Sequence, residues 1–215
     1  MKIAVLTTKN QWFEKYAKVL SEKLGNIAIF NNHDDFYGKY DVVFILSYHK
    51  IIPKEILKKN KHNIVVHASL LPHGKGWAPL FWQILEGRNN IPFVMIEVNE
   101  SVDNGDVYMQ KILELTGNEL YEDLRDAQAN LTIQMCLEFL KNYDQYKNPV
   151  KQGGIESFYA KRGKEDSELD INKTIKEQFN LLRIVNNNDY PAFFELDDNR
   201  YILKIELDKS GKRKC

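Results

Sequence analysis

Apolar and polar positions follow two periods along this chain. Residues 2–8 form a short apolar block that predicts a strand. Phe13, Tyr16, Ala17, Leu20 and Leu24 then recur at helical spacing, and Gly25 stops the helix. Residues 26–30 predict a second strand. Residues 41–46, Asp-Val-Val-Phe-Ile-Leu, predict a third that is apolar enough for burial on both faces. Ser47-Tyr48-His49-Lys50 leaves it as a loop, and Pro53 opens a short helix. Residues 63–66 predict a fourth strand. After a loop with two glycines and two prolines, Ala78, Phe81, Trp82 and Leu85 mark a helix whose first turn suits Pro79. This alternation predicts an α/β fold: a Rossmann-like, mostly parallel sheet with helices on both faces.

Residues 92–98 and 106–115 predict a hairpin added to that sheet, joined by a turn-rich connection over 99–105. Thr116 and Glu119 have the Thr-x-x-Glu spacing of a capping box. The helix it opens carries Leu120, Leu124, Ala127, Leu131, Met135 and Phe139 on one stripe, a core face. Composition shifts near Asn142, and Asn148-Pro149 with Gly153-Gly154 has the character of a linker. The division expected is a main domain over 1–145 and a small appendage over 146–215. In the appendage, Thr174 and Glu177 cap a helix with the stripe Ile175, Phe179, Leu182 and Val185, and residues 191–196 and 201–207 form a β-hairpin. The tail from Lys209 is basic and expected to be loose.

Composition narrows the function classes. Lys+Arg and Asp+Glu both number 30, so a protein built mainly to hold nucleic acid is not expected. The cysteines Cys136 and Cys215 form no disulfide framework, so both are expected to be thiols in a reducing cytoplasm. No apolar run approaches the roughly 18 residues of a membrane span, and the N-terminus is too short for a signal-peptide core. The first strand is not followed by Gly-x-Gly-x-x-Gly, so a dinucleotide is not expected. The candidate chemistry lies at 63–79, where an apolar strand ends on His67 and enters a glycine loop. Ligands bind outside the carboxyl ends of strands in such sheets. Taken alone, His67 reads as a core histidine, Asp103-Asn104-Gly105 as an ordinary turn and Lys75 as a solvated lysine.

Together these residues say more. His67-Ala68-Ser69-Leu70-Leu71-Pro72, then Gly76 and Pro79, then Val102-Asp103-Asn104-Gly105-Asp106 with Gln110, closely resemble the folate-dependent formyltransferases over residues 1–140. The resemblance implies an enzyme using 10-formyltetrahydrofolate and no metal, with His67 and Asp103 catalytic. An amine attacks the formyl carbon, a tetrahedral oxyanion forms, and protons move from amine to leaving nitrogen. A histidine can relay those protons, and a carboxylate beside it can orient and stabilise the imidazole. His67, which ends one strand, and Asp103, in the neighbouring connection, are expected to meet above the sheet. Ser47, Tyr48 and Asn99 fall on the loops that the resemblance gives to folate. Ser69, Lys75, Gly76, Trp77, Asn104 and Gln110 fall on the acceptor side, Lys75 as a point charge for a pyrophosphate and Trp77 as a stacking surface.

That loop, with the short appendage, favours the sugar N-formyltransferases. The expected acceptor is then the amine of a UDP- or dTDP-linked amino sugar, in cytoplasmic surface-glycan biosynthesis. The partners expected are that nucleotide sugar and folate, with no nucleic acid and no membrane; a homodimer is compatible. Glycinamide ribonucleotide is an alternative acceptor, and a silent folate- or nucleotide-binding protein is an alternative of another class. The reason for the latter is Val65. The family has an asparagine two residues before the histidine, and removing one oxyanion donor costs on the order of a hundredfold. Asn63 lies roughly 13 Å from His67 along a strand, so it is no simple substitute. Asn104, Ser69 or a backbone N–H remain as replacements.

Overall fold

The computed structural model describes all residues except 37, 100, 209 and 211–215. Cys215 and most of the basic tail therefore lie outside the described residues. The elements run β1 (Ile3–Leu6), α1 (Glu14–Lys23), β2 (Ala28–Phe30), β3 (Val42–Ile45), α2 (Lys54–Leu57), β4 (His62–His67), β5 (Lys75–Gly76), α3 (Pro79–Leu85), β6 (Asn90–Glu97) and β7 (Val107–Glu114). They continue with α4 (Tyr121–Lys141), α5 (Tyr143–Tyr146), β8 (Phe158–Tyr159), α6 (Phe179–Ile184), β9 (Ala192–Leu196) and β10 (Asn199–Leu203). The main sheet has the order β2-β1-β3-β4-β6-β7. β1 to β4 run parallel; β6 and β7 add an antiparallel hairpin.

Alternation along the strands builds two cores. Val5, Phe44, Ile64 and Met95 face α1, α3 and α4 and bury with Ala17, Leu80 and Phe139. Ala4, Leu6, Val43 and Ile45 face the other way, against Leu57 of α2 and the loop residues Phe36 and Tyr40. Both faces are covered, unequally: long helices lie on one side, and a single short helix with loops on the other. The second side is the more open one, and His67 belongs to it, because Val65 packs there two positions earlier.

Two capping assignments are corrected. Thr116 does close on Glu119, its N–H and hydroxyl both donating to Glu119 Oε1 at 2.6 and 2.7 Å. The helix starts later, at Tyr121, with Leu120 N–H donating to Asp123. The reason is that Glu119 serves elsewhere: buried Arg183 of α6 donates Nη2 to Glu119 Oε2 at 2.9 Å and Nε to its carbonyl at 3.1 Å. In the appendage, Thr174 and Glu177 likewise close a turn, and α6 begins only at Phe179, leaving Ile175 exposed. The hairpin β9–β10 starts its return at Asn199, because Asp197 and Asp198 both take positive φ, at 49° and 61°, and make a two-residue turn.

The Arg183–Glu119 pair ties the appendage to the main sheet's helix layer. Burial pushes the Glu119 carboxyl up, but hydrogen bonds from Thr116 and Gly117 outweigh it and hold the group down at about 2, against an ordinary 4.5. A depressed carboxyl stabilises the fold above its unfolded pKa, and that stability is lost as pH falls through the folded one. Glu119→Gln should therefore cost about 1–3 kcal/mol at neutral pH. It should also flatten the stability loss between pH 4.5 and about 2, read by urea denaturation across that range.

Candidate active site

The connection between β6 and β7 decides the geometry. It does not stay beyond the strand ends but folds back across the open face of β4. Val98 N–H donates to Asn63 O at 2.7 Å, and Glu97 N–H to Asp106 O at 2.9 Å. Gly105 is required there, because a Cβ would sit 1.4 Å from Glu97 O. Asp103 takes φ 53° at the top of this fold-back. Its Oδ2 accepts the Gly76 N–H at 2.8 Å, and its Oδ1 lies 3.5 Å from His67 Nδ1. His67 Nε2 is 2.8 Å from Gly74 O. A carbonyl only accepts, so Nε2 carries the proton and Nδ1 faces the carboxylate. His67 and Asp103 thus come within 3.5 Å of each other on the sheet face at the end of β4.

A segment that reads as a linker holds this arrangement. β8 pairs with β5, and Gly76 is needed at φ 95° because a Cβ would meet Tyr159 O at 2.5 Å. Ser157 Oγ accepts the Gly74 N–H at 2.9 Å. Gln152 Nε2 donates to Asp103 O at 3.0 Å and Gly105 O at 2.7 Å, and Val150 exchanges backbone bonds with Val107. Residues 150–159 therefore strap both loops of the site together. None of Gln152, Glu156 and Ser157 stood out in the sequence, where the neighbouring glycines dominate.

A cleft of about 1720 Å³ opens over His67 and Asp103. That exceeds the roughly 300–1,000 Å³ typical of one small ligand, so the cleft has room for more than one. Leu46, Ile52, Val65, Ile96 and Val98 line one arm, with the exposed side chains of Ile51 and Val102 also lining the cleft. Ser47, Tyr48 and Asn99 line the cleft too, but as supports. Ser47 takes φ 52°, the Tyr48 hydroxyl is 2.7 Å from His33 Nδ1, and Asn99 bonds Asn104 O and Ser101 N. Gly76, Trp77 and Asn104 line the cleft as well.

Three expected acceptor residues are not brought there. Lys75 is buried, with its ammonium 2.9 Å from Glu156 Oε2 and 3.1 Å from Asn104 Oδ1, because pairing of β5 with β8 turns it inward. It has no role as an open point charge for pyrophosphate. Ser69 is buried beside Gly74, and its hydroxyl has no hydrogen-bond partner among the described residues. Gln110 is exposed on β7, on the same sheet face as His67 and Val94 but two strands away from His67, and does not line the cleft. Conversely, Arg125 lines the cleft and was missed. Its signal was the Tyr121, Arg125, Gln128 spacing on one helical face.

Comparison with known proteins fits this geometry. The sequence model of the formyl transferase family matches residues 38–140, which span β3 to most of α4 and hold both His67 and Asp103. Residues 38–140 belong to the formyl transferase family. A methionyl-tRNA formyltransferase of Ehrlichia ruminantium (strain Gardel) is 34% identical over 155 residues, 72% of this chain and 49% of that protein. The chain spans about half the length of the curated relatives it matches. The formyl transferase fold itself extends over nearly the whole chain. A methionyl-tRNA formyltransferase from Clostridium thermocellum aligns at TM-score 0.78 and 22% identity, covering 99% of this chain and 96% of that one. A 4-N formyltransferase from Francisella tularensis aligns at TM-score 0.68 and 19% identity, covering 97% and 98%.

Because Lys75 is buried while Glu156 is mostly exposed, the pair is one-sided. Glu156→Gln keeps an acceptor oxygen but removes the carboxylate that faces the buried ammonium, leaving it inside the fold without that counter-charge. We expect a loss of about 1–3 kcal/mol in unfolding free energy, measured by chemical denaturation. Glu156→Asp should recover part of it.

Proposed function

We propose that this protein transfers a formyl group from 10-formyltetrahydrofolate to a primary amine. The observation that carries the reading is the His67–Asp103 contact on the face of β4, at the floor of a cleft large enough for both substrates. The folate supplies an activated formyl carbonyl. Its ring system fits the apolar arm between Leu46, Ile52 and Val98, with backbone groups of the two loops as its polar partners. As the amine bonds to the formyl carbon, His67 takes its proton at Nδ1, the ring nitrogen not bonded to Gly74 O, and returns it to the folate nitrogen when the carbon–nitrogen bond to folate breaks. Asp103 holds the resulting imidazolium, while its second oxygen anchors Gly76.

The donor missing at Val65 is supplied by Asn104 in this reading. Lys75 Nζ can only donate, so it fixes Asn104 Oδ1 inward and settles which end of the amide is which. Nδ2 is left without a hydrogen-bond acceptor among the described residues, on a side chain that lines the cleft next to Asp103. Val65 meanwhile is half-buried and packs with Leu71, Val94, Ile96 and Val107 at the edge of the cleft, a mostly apolar setting for an amide.

For the acceptor, Trp77 favours a nucleotide-linked amino sugar: it is 44% exposed and lines the cleft, open for stacking. The curated relatives favour methionyl-tRNA as a second acceptor. Formyl transfer to UDP- and dTDP-linked amino sugars, to glycinamide ribonucleotide and to methionyl-tRNA, measured side by side, decides between them. A cytoplasmic setting goes with either reading.

His67→Ala should abolish nearly all turnover and leave folate-analogue affinity within a few-fold, because a proton relay acts in the transition state. If calorimetry shows no binding of a tetrahydrofolate analogue at about millimolar concentration, a weak-binding limit, the reading is wrong at its root. Asn104→Leu should lower kcat by on the order of a hundredfold. Val65→Asn should leave kcat unchanged or lower and cost about 1–3 kcal/mol of stability. A rise in kcat for Val65→Asn with stability intact would overturn the assignment of Asn104.

A further inference from the structure

The cleft holds a second polar centre that the formyl-transfer chemistry does not use. Arg125 of α4 packs its guanidinium on three rings, 4.3 Å from the centroid of Trp12, 4.4 Å from Phe81 and 5.2 Å from Tyr121. Its Nε donates to the Tyr121 hydroxyl at 3.2 Å and its Nη1 to Gln128 Oε1 at 3.0 Å. These partners are neutral. Glu122, the nearby acid of the same helix, makes no ion pair with Arg125 among the described residues. Burial accordingly pushes the guanidinium pKa down from its ordinary value. A half-buried cation surrounded by rings and neutral groups has lost water, and in return feels only the charge of Glu122 without an ion pair.

Other cations converge on the same arm. Lys161 stands 5.0 Å over the Trp77 ring, and His49 lies 5.8 Å from that ring on its own account. The His49 pKa is lowered first by burial and then by the charges of Lys161 and Arg125, so both cations act on one region of the cleft. Arg162, adjacent in the chain, donates to the Asp166 carbonyl at 2.6 Å, again a neutral partner. Neither Arg125 nor Lys161 has a carboxylate within ion-pair distance among the described residues. Rings and uncompensated positive charge together select an anion joined to a flat group.

We propose that Arg125 and Lys161 form a phosphate subsite for the acceptor, with Trp77 as the stacking surface for the base or sugar attached to that phosphate. The proposal rests on the formyl-transfer reading only for the word acceptor; the anion site itself stands on the geometry above. The phosphate has two sources with one chemistry, the diphosphate of a nucleotide sugar or the phosphodiester end of a tRNA. Arg125 presents a planar fork and Lys161 a mobile point charge, a combination suited to a multiply charged oxyanion.

The test is calorimetry on the full chain with three probes: UDP, inorganic pyrophosphate and the trinucleotide CCA, each beside 5-formyltetrahydrofolate as a control. We expect Arg125→Gln to weaken binding of the phosphate-bearing probe tenfold or more and Lys161→Gln several-fold, with folate-analogue affinity held within about twofold. Lys161 is exposed, so its variant decides the matter if Arg125→Gln folds poorly. Tighter binding of UDP assigns the nucleotide source, and tighter binding of CCA the tRNA source. The proposal is overturned if no phosphate probe binds while the folate analogue does, or if phosphate affinity is the same in both variants as in the wild type. Loss of folate binding with phosphate binding intact would instead overturn the formyl-transfer reading and leave the anion site standing.

Discussion

The Asp103 carboxylate is the interaction on which the rest of the site depends. One oxygen holds the Gly76 N–H and the other faces the His67 ring, so a single side chain sets the distance between the glycine loop and the strand. Asp103 reaches that position only because its loop folds back over β4 with a positive φ. Gly105 permits that course by having no Cβ against Glu97 O. The backbone strain at Asp103 is held by partners outside its own loop, chiefly Gln152 and Gly76. The chemistry proposed for His67 is thus a property of three chain segments, and the strand alone does not supply it.

The strap over 150–159 gives this dependence its rigidity. It buries Lys75 through Glu156, closes on Gly74 through Ser157 and pairs with Gly76 through Tyr159. Lys75 in turn orients Asn104. A buried ammonium between a carboxylate and an amide oxygen is well satisfied, and losing the carboxylate leaves its desolvation only partly offset. In the proposed reading the same clamp aims Asn104 to serve for the amide absent at position 65, where Val65 packs among apolar residues.

Much of this was legible in the sequence, for local reasons. The apolar run ending in His67, the helical stripe of α1 and the Asp-x-Gly turn all declare themselves within about ten residues. The face that His67 shares with Val65 follows from strand alternation alone. The non-local part was not legible. Lys75 lies in a Gly-Lys-Gly stretch with no period, and Glu156, which buries it, is 81 positions away. Gln152 sits beside Gly153-Gly154, whose composition signals a linker, yet its amide bonds two carbonyls of the active loop. Glu119 looked like a helix cap because its spacing is right, and only the buried Arg183 shows why the helix begins later. Arg125 gathers rings from three separate elements, which no window of sequence displays together.

The central claim is that the Asp103 charge, and not merely its hydrogen bond to Gly76, supports His67. Asp103→Asn keeps an oxygen for the Gly76 N–H and removes the charge. The measurement is single-turnover formyl transfer by this variant, with 5-formyltetrahydrofolate affinity and thermal stability followed alongside. The account predicts a rate lower by on the order of a hundredfold or more, with folate-analogue affinity within a few-fold of wild type. A variant that transfers formyl at the wild-type rate would contradict it.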